Sequence, residues 1–150
     1  MIAVTQVVDK ADVSIIGQNN TKREITKGLI VFLGVSKADT EKEVDKIVNK
    51  LLKLRVFPDE KEKMNRDIQS VNGEILLISQ FTLLGSLKGN NRPDFFNAAG
   101  KELATKLYEL FADKLTQAGI SVNTGFFGEH MEITTFLNGP VTIILESDKI

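Results

Sequence analysis

The sequence predicts a single α+β domain, rich in strands, with two main helices. Three observations lead there. A continuous apolar run, "GLIVFLGV" at 28–35, has the length and β-branched content of a strand buried on both faces. Two segments, starting near 40 and near 101, carry apolar residues at helical spacing. The chain has 150 residues, 42% of them hydrophobic, with no linker, internal repeat or low-complexity tract, which fits one core spanning 1–150.

Taken in order, residues 1–8 and 11–16 are apolar and β-branched and are divided by Asp9-Lys10, which predicts two strands. Residues 17–20 have turn chemistry, and 22–26 lead into the buried strand 28–35. Thr40 and Glu43 form a capping-box pair, followed by Val44, Ile47, Val48, Leu51 and Leu52, so a helix is predicted over 40–54. "PDEKEKMNR" at 58–66 reads as a charged loop. Asn72-Gly73 lies between "DIQSV" and "EILLISQF" and predicts a hairpin.

After Phe81 comes a long loop, "TLLGSLKGNNRPD", of a length more often functional than idle. Leu103, Leu107, Leu110, Phe111 and Leu115 mark a second helix, about 101–118, with Gly119 as its C-terminal cap. Two strands, 131–137 and 141–146, complete the chain. Between them stands Asn138-Gly139-Pro140. A proline has no amide to give a ladder and a glycine no side chain to pack, so the local chemistry is that of a turn.

Composition narrows the chemistry. The net charge of −1 supplies no global field for nucleic acid, so a polyanion must meet a local basic patch. There is no cysteine and one histidine, His130, which disfavours thiolate chemistry, a Ser-His-Asp triad and a metal centre; no metal and no cofactor are expected. Neither a signal peptide nor a membrane span is visible, and a cytoplasmic setting is expected.

Three segments carry candidate chemistry. "SQFTL" at 79–83 puts Ser79, Gln80 and Thr82 at a strand exit, where they either face a ligand or satisfy local backbone. "KGNNRP" at 88–93 places Lys88 and Arg92 beside small residues, which suits either a phosphate contact or a solvated loop. "TGFFGEHM" at 124–131 interleaves glycine with Phe126 and Phe127, as a base-stacking platform or as core. Lys22, Arg23, Lys27, Lys46, Lys50, Lys53 and Arg55 read as ordinary surface cations. His130 has no metal-ligand partner at useful spacing, and no paired carboxylates sit among apolar neighbours. With nucleophile and base both missing, any catalysis here uses backbone amides, hydroxyls and groups of the substrate.

"SQFTL" at 79–83 and "NGPVTI" at 138–143 together resemble the paired signature motifs of the D-aminoacyl-tRNA deacylases. "TGFFGEHM" matches that family's G-x-F-G-x-x-M segment, and Gln6, "LRVFPDEKEKMN", "KGNNRPDF" and "PVTIILES" extend the likeness over nearly the whole chain. The resemblance implies a homodimer with a β-barrel-like core flanked by the helices. It also implies hydrolysis of the ester joining a D-amino acid, or glycine, to the 3′-terminal adenosine of tRNA.

On the same basis Ser79, Gln80, Phe81 and Thr82 are the catalytic-site residues, with the Phe81 and Thr82 amides as oxyanion donors. Phe127 and Met131 hold the adenine. Gly139 and Pro140, joined by a cis bond, enter the other subunit's site as a filter against L side chains, with Asn138 beside them among the substrate-binding residues. Thr82 supports rather than attacks, since no base is present to activate it, and the adenosine 2′-OH assists the attacking water. Lys88 and Arg92 are candidate tRNA contacts.

The chain departs from the family pattern in three places, one of them the loop after SQFTL, which reads "LGSLKGNNRP" where bacterial members often carry "YADTKKGNRP". Gln6-Val7-Val8 stands where the family reads Q-R-V, and Leu137-Asn138-Gly139-Pro140 where it reads N-D-G-P. The alternatives to the enzyme are a nucleic-acid-binding module of the kind associated with DNA replication origins, or an inactive homologue.

Overall fold

The fold was described from a computed structural model, which covers every residue except Asn19 and Asn90. The turn expected at 17–20 and the loop "KGNNRP" each include one of those two, and that part lies outside the described residues.

The chain runs β1 (Ile2–Ile15), β2 (Arg23–Ile25), β3 (Gly28–Gly34), α1 (Glu41–Leu52), β4 (Phe57–Pro58), β5 (Met64–Arg66), β6 (Glu74–Ser79), α2 (Lys101–Gln117), β7 (Ser121–Thr124) and β8 (Met131–Glu146). One mixed sheet has the order β2-β1-β3-β6-β7, with β8 also paired to β1. β1 is antiparallel to β2, β3 and β8, whereas β3–β6 and β6–β7 are parallel.

The sheet curls until its far edge returns to β2, where side chains close it in place of a ladder. Arg23 donates to the Thr124 carbonyl at 2.8 Å, the Thr124 hydroxyl at 2.9 Å and the Gly125 carbonyl at 3.2 Å. Asn123 Nδ2 donates to the Glu24 carbonyl at 2.8 Å. The guanidinium also lies 4.1 Å from the Phe126 ring centroid. Arg23, read from sequence as a surface cation, is the clasp of the nearly closed barrel.

The predicted double burial of strand 28–35 holds, because side chains alternate across the sheet. Leu29, Val31 and Leu33 pack with Ile75, Leu77 and the buried faces of α1 and α2. Ile30 packs on the opposite face with Val8, Val13, Ile25, Leu76 and Ile78.

α1 begins as predicted, with Lys42 N donating to the Thr40 hydroxyl and Thr40 N to Glu43 Oε2 at 2.9 Å. The Thr40 hydroxyl, which donates to Glu43 Oε2 at 2.7 Å, and the Thr40 amide hold the Glu43 carboxyl below its usual range. Thr40→Ala removes half of this box, and urea unfolding is expected to show a loss of about 1 kcal/mol.

Four expectations are corrected. The two strands expected in 1–8 and 11–16 are one, Ile2–Ile15. Register shifts between Gln6 and Val8 and between Val8 and Lys10 absorb the polar pair, since β8 pairs with β1 on both sides of it. Asn72-Gly73 closes a compact turn, not a hairpin: Asn72 takes φ 50°, and Gly73 N donates to the Ile68 carbonyl at 2.9 Å. The strand that follows, β6, instead finds its partners in β3 and β7.

The charged loop 58–66 contains β5, paired with β4. Asn138-Gly139-Pro140 is no turn either, for β8 continues through it. Leu137 pairs with Val8 and Thr142 with Gln6, so four residues, 138–141, stand opposite the single Val7. The surplus leaves the ladder as a bulge.

Candidate functional site

A cavity of about 370 Å³ opens where β6 ends, between the sheet, α2 and the segment 127–131. Ser79, Gln80 and Phe81 form one wall, and Phe127 and Met131 another, so these predicted residues do converge. Leu33, Val35, Ala99, Ala104 and Tyr108 make the apolar floor.

Backbone fixes the first wall. Gln80 N donates to the Leu33 carbonyl at 2.8 Å, and the chain then turns into a short 3-10 helix, Phe81–Leu84. The turn's first bond runs from Leu83 N to the Gln80 carbonyl, 3.3 Å, which leaves the Phe81 and Thr82 amides ahead of it. Gly34 permits this fold-back, since a Cβ there would lie 3.1 Å from the Gln80 carbonyl oxygen. Thr82 is exposed and does not line the cavity; its hydroxyl accepts from the Gln80 side-chain amide. The Phe81 ring stacks edge-on against Phe95, 4.9 Å between centroids.

The second wall hangs on the barrel clasp. Arg23 pins Thr124 and Gly125, and Gly125 N donates to the Leu77 carbonyl at 2.7 Å. Tyr108 donates its hydroxyl to the same carbonyl at 2.7 Å, and its ring stands 5.4 Å from that of Phe127. Burial pushes the Tyr108 phenol well above its usual range, so the group stays a neutral donor. Sequence reasoning missed Tyr108, because a tyrosine among α2 leucines at helical spacing looks like ordinary core. It also set aside His130, which lines the cavity beside Glu129.

The remaining predicted residues lie elsewhere. Asn138, Gly139 and Pro140 do not line this cavity; they are exposed on the β8 bulge, and the Gly139–Pro140 bond is cis. Asn138 Nδ2 donates to Asp9 Oδ1 at 2.8 Å, tying the bulge to β1, and Val7 beneath it is buried. Phe136, Leu137 and Ile144 on the same strand are exposed. Lys88 and Arg92 are exposed in the loop after the 3-10 turn, away from the cavity wall, and a bridge between Ser86 and Asp94 closes that loop. Among the described residues no group of three or more His, Cys, Asp or Glu is placed to hold a metal, and no helix is long and apolar enough to cross a membrane.

A family model described as D-Tyr-tRNA(Tyr) deacylase matches residues 4–146. The chain is 45% identical over 149 residues to a D-aminoacyl-tRNA deacylase of Clostridioides difficile, covering 99% of each. It is also 45% identical over 150 residues to one of Aquifex aeolicus, covering 100% of each. A solved structure described as a c-Myc DNA unwinding element binding protein superposes with a TM-score of 0.89 at 40% identity, over 97% of this chain and 98% of that one. A probable eukaryotic D-amino acid tRNA deacylase shares the fold, with a TM-score of 0.83 at 17% identity over 96% and 97%. With the model match spanning nearly its whole length, the chain belongs to the D-Tyr-tRNA(Tyr) deacylase family.

Proposed function

We propose that this protein hydrolyses D-aminoacyl-tRNA to free D-amino acid and tRNA, with glycyl-tRNA as a second substrate. The observation that carries the reading is the cavity itself. Its walls are the segments 79–81 and 127–131, and its polar lining residues include Ser79 and Gln80 on one side and Glu129 and His130 on the other. Water adds to the ester carbonyl, the Phe81 and Thr82 amides receive the developing oxyanion, and the 3′-oxygen leaves as an alcohol with a proton. The neighbouring 2′-OH of the terminal adenosine orients the water. Such a site depends on preorganised donors more than on an activated side chain.

Phe127 and Met131 hold the adenine. Chiral selection falls to Gly139 and Pro140, whose carbonyls enter the cavity of a second copy and leave no room for an L side chain. Two features support a homodimer: the bulge projects outside its own cavity, and exposed Phe136, Leu137 and Ile144 flank it. An apolar strand face of this kind is typical of an interface.

The test is parallel deacylation of D-Tyr-tRNA and L-Tyr-tRNA. Rapid loss of the D-ester alone is the expected result. No turnover with retention of duplex DNA at physiological salt would instead favour the binding module to which one solved relative's description points. No turnover and no retention would mark an inactive homologue. Thr82→Ala is expected to lower kcat about 5-fold, the worth of one hydrogen bond to Gln80. A thousandfold loss, on the scale of a catalytic group, would make Thr82 the nucleophile.

A further inference from the structure

Outside the cavity mouth a second aromatic surface stands open. The segment 95–99 runs antiparallel to 35–37: Lys37 N donates to the Asn97 carbonyl at 3.0 Å, and Ala99 N to the Val35 carbonyl at 2.9 Å. Val35 and Ala99 line the cavity. Lys37 and Phe96 are the outward continuation of that same wall. Lys37 is two residues beyond Val35, about 7 Å along an extended chain.

Successive residues of an extended segment face opposite ways. Phe95 turns in to meet Phe81, while Phe96 turns out and is 79% exposed. The Lys37 ammonium lies 3.5 Å from the Phe96 ring centroid. Among the described residues that ammonium pairs with no carboxylate. Asp39, two residues from Lys37, is held by the N-terminal ammonium at 2.6 Å and the Ser36 amide at 2.7 Å. Asp94, two residues before Phe96, accepts from the Phe96 amide at 3.2 Å. One face of the ring therefore carries a cation and the ring remains largely open to solvent.

We propose that Phe96 and Lys37 form a stacking step for the unpaired nucleotide that precedes the terminal adenosine of the substrate. The base lies on the open side of the Phe96 ring, and Lys37 meets a phosphate of the single strand. An aromatic ring accepts any base, while an adjacent cation follows the backbone. A second copy of the chain is the poorer occupant, because docking an apolar partner here would strip water from the Lys37 charge. The inference rests on the deacylase reading for its ligand but not for its geometry.

The chain contains no tryptophan, so Phe96→Trp supplies a lone reporter. Its fluorescence is expected to be quenched by the ribotrinucleotide CCA and not by adenosine. Phe96→Ala is expected to lower the preference for D-aminoacyl-tRNA over D-aminoacyl-adenosine, as a ratio of kcat/KM, about tenfold. Phe96→Tyr should restore it, and Lys37→Ala should reduce the salt slope of tRNA binding by about 0.7. An unchanged ratio, or no quenching by CCA, overturns the proposal. Quenching that grows with protein concentration alone also overturns it and assigns the face to a second copy. If the parent protein deacylates neither substrate, the deacylase reading fails while the CCA titration still decides the platform.

Discussion

Gly139→Ala is expected to lower hydrolysis of D-aminoacyl-tRNA about 100-fold while the thermal midpoint falls by only about 4 °C. The backbone at Gly139 has φ +123°, a conformation L side chains rarely adopt, and a Cβ there would lie 2.6 Å from both Cγ2 and N of Val141. Strain of that kind costs about 1–3 kcal/mol, and the chain relieves it where it is least restrained. Residues 138–141 lie outside the β1–β8 ladder and 138–140 are exposed, so the bulge shifts while the core stays intact. On the proposed reading, a displaced pair of carbonyls no longer frames the aminoacyl group. The check is single-turnover deacylation alongside calorimetry. Full D-ester turnover by the variant would remove the bulge from the mechanism.

Gly28→Ala is expected to destabilise the fold by about 3 kcal/mol or more, read as a drop of roughly 6–12 °C in the melting temperature. A Cβ on Gly28 would overlap the Glu74 carbonyl oxygen and lie 2.7 Å from its amide nitrogen. Those atoms are backbone and cannot rotate away. Gly28 opens the parallel β3–β6 pairing, opposite Glu74, so relief requires splaying the two strands that fill both core clusters. The Glu74 carboxylate, itself bonded to the Thr26 amide at 2.7 Å and hydroxyl at 2.8 Å, holds the same corner. These bonds keep the Glu74 carboxyl below its usual range, so the stability they add is present above that range and is lost on acidification. A Gly28→Ala protein with an unchanged melting curve would show that the two strands separate at little cost.

Local chemistry was readable wherever a single element supplied it. The Thr40–Glu43 box, the apolar faces of both helices and Gly119 as a positive-φ cap at 88° all lie within a few residues of their partners. Errors arose where a distant strand decided the outcome. Asp9-Lys10 looks like a break until β8 bridges it, and Asn72-Gly73 looks like a hairpin until β6 pairs in parallel with β3.

The candidate site divides the same way. Ser79, Gln80, Phe81, Phe127 and Met131 converge on one cavity as the motifs imply, but its floor of Ala99, Ala104 and Tyr108 belongs to segments whose periodicity indicates only core. The Arg23 clasp was unreadable, because nothing local distinguishes it from the other lysines and arginines of the surface. Position 7, where the family pattern has arginine, illustrates a contact that only the fold reveals. A buried valine underlies the bulge, and Asn138 reaches Asp9.

The pairing of the first strand with the last also orders events in time. Ile2 meets Glu146 and Met1 accepts from the Ser147 amide, so the longest ladder in the molecule joins residues separated by nearly the whole chain. Contacts of such separation form slowly, and during synthesis they wait for the final strand to emerge. Until then β1 can hold β2 and β3, and β3 can hold β6, while the Gly139-Pro140 bulge has no frame. A nascent chain can therefore assemble β1, β2, β3 and β6 before the Gly139-Pro140 bulge gains its frame.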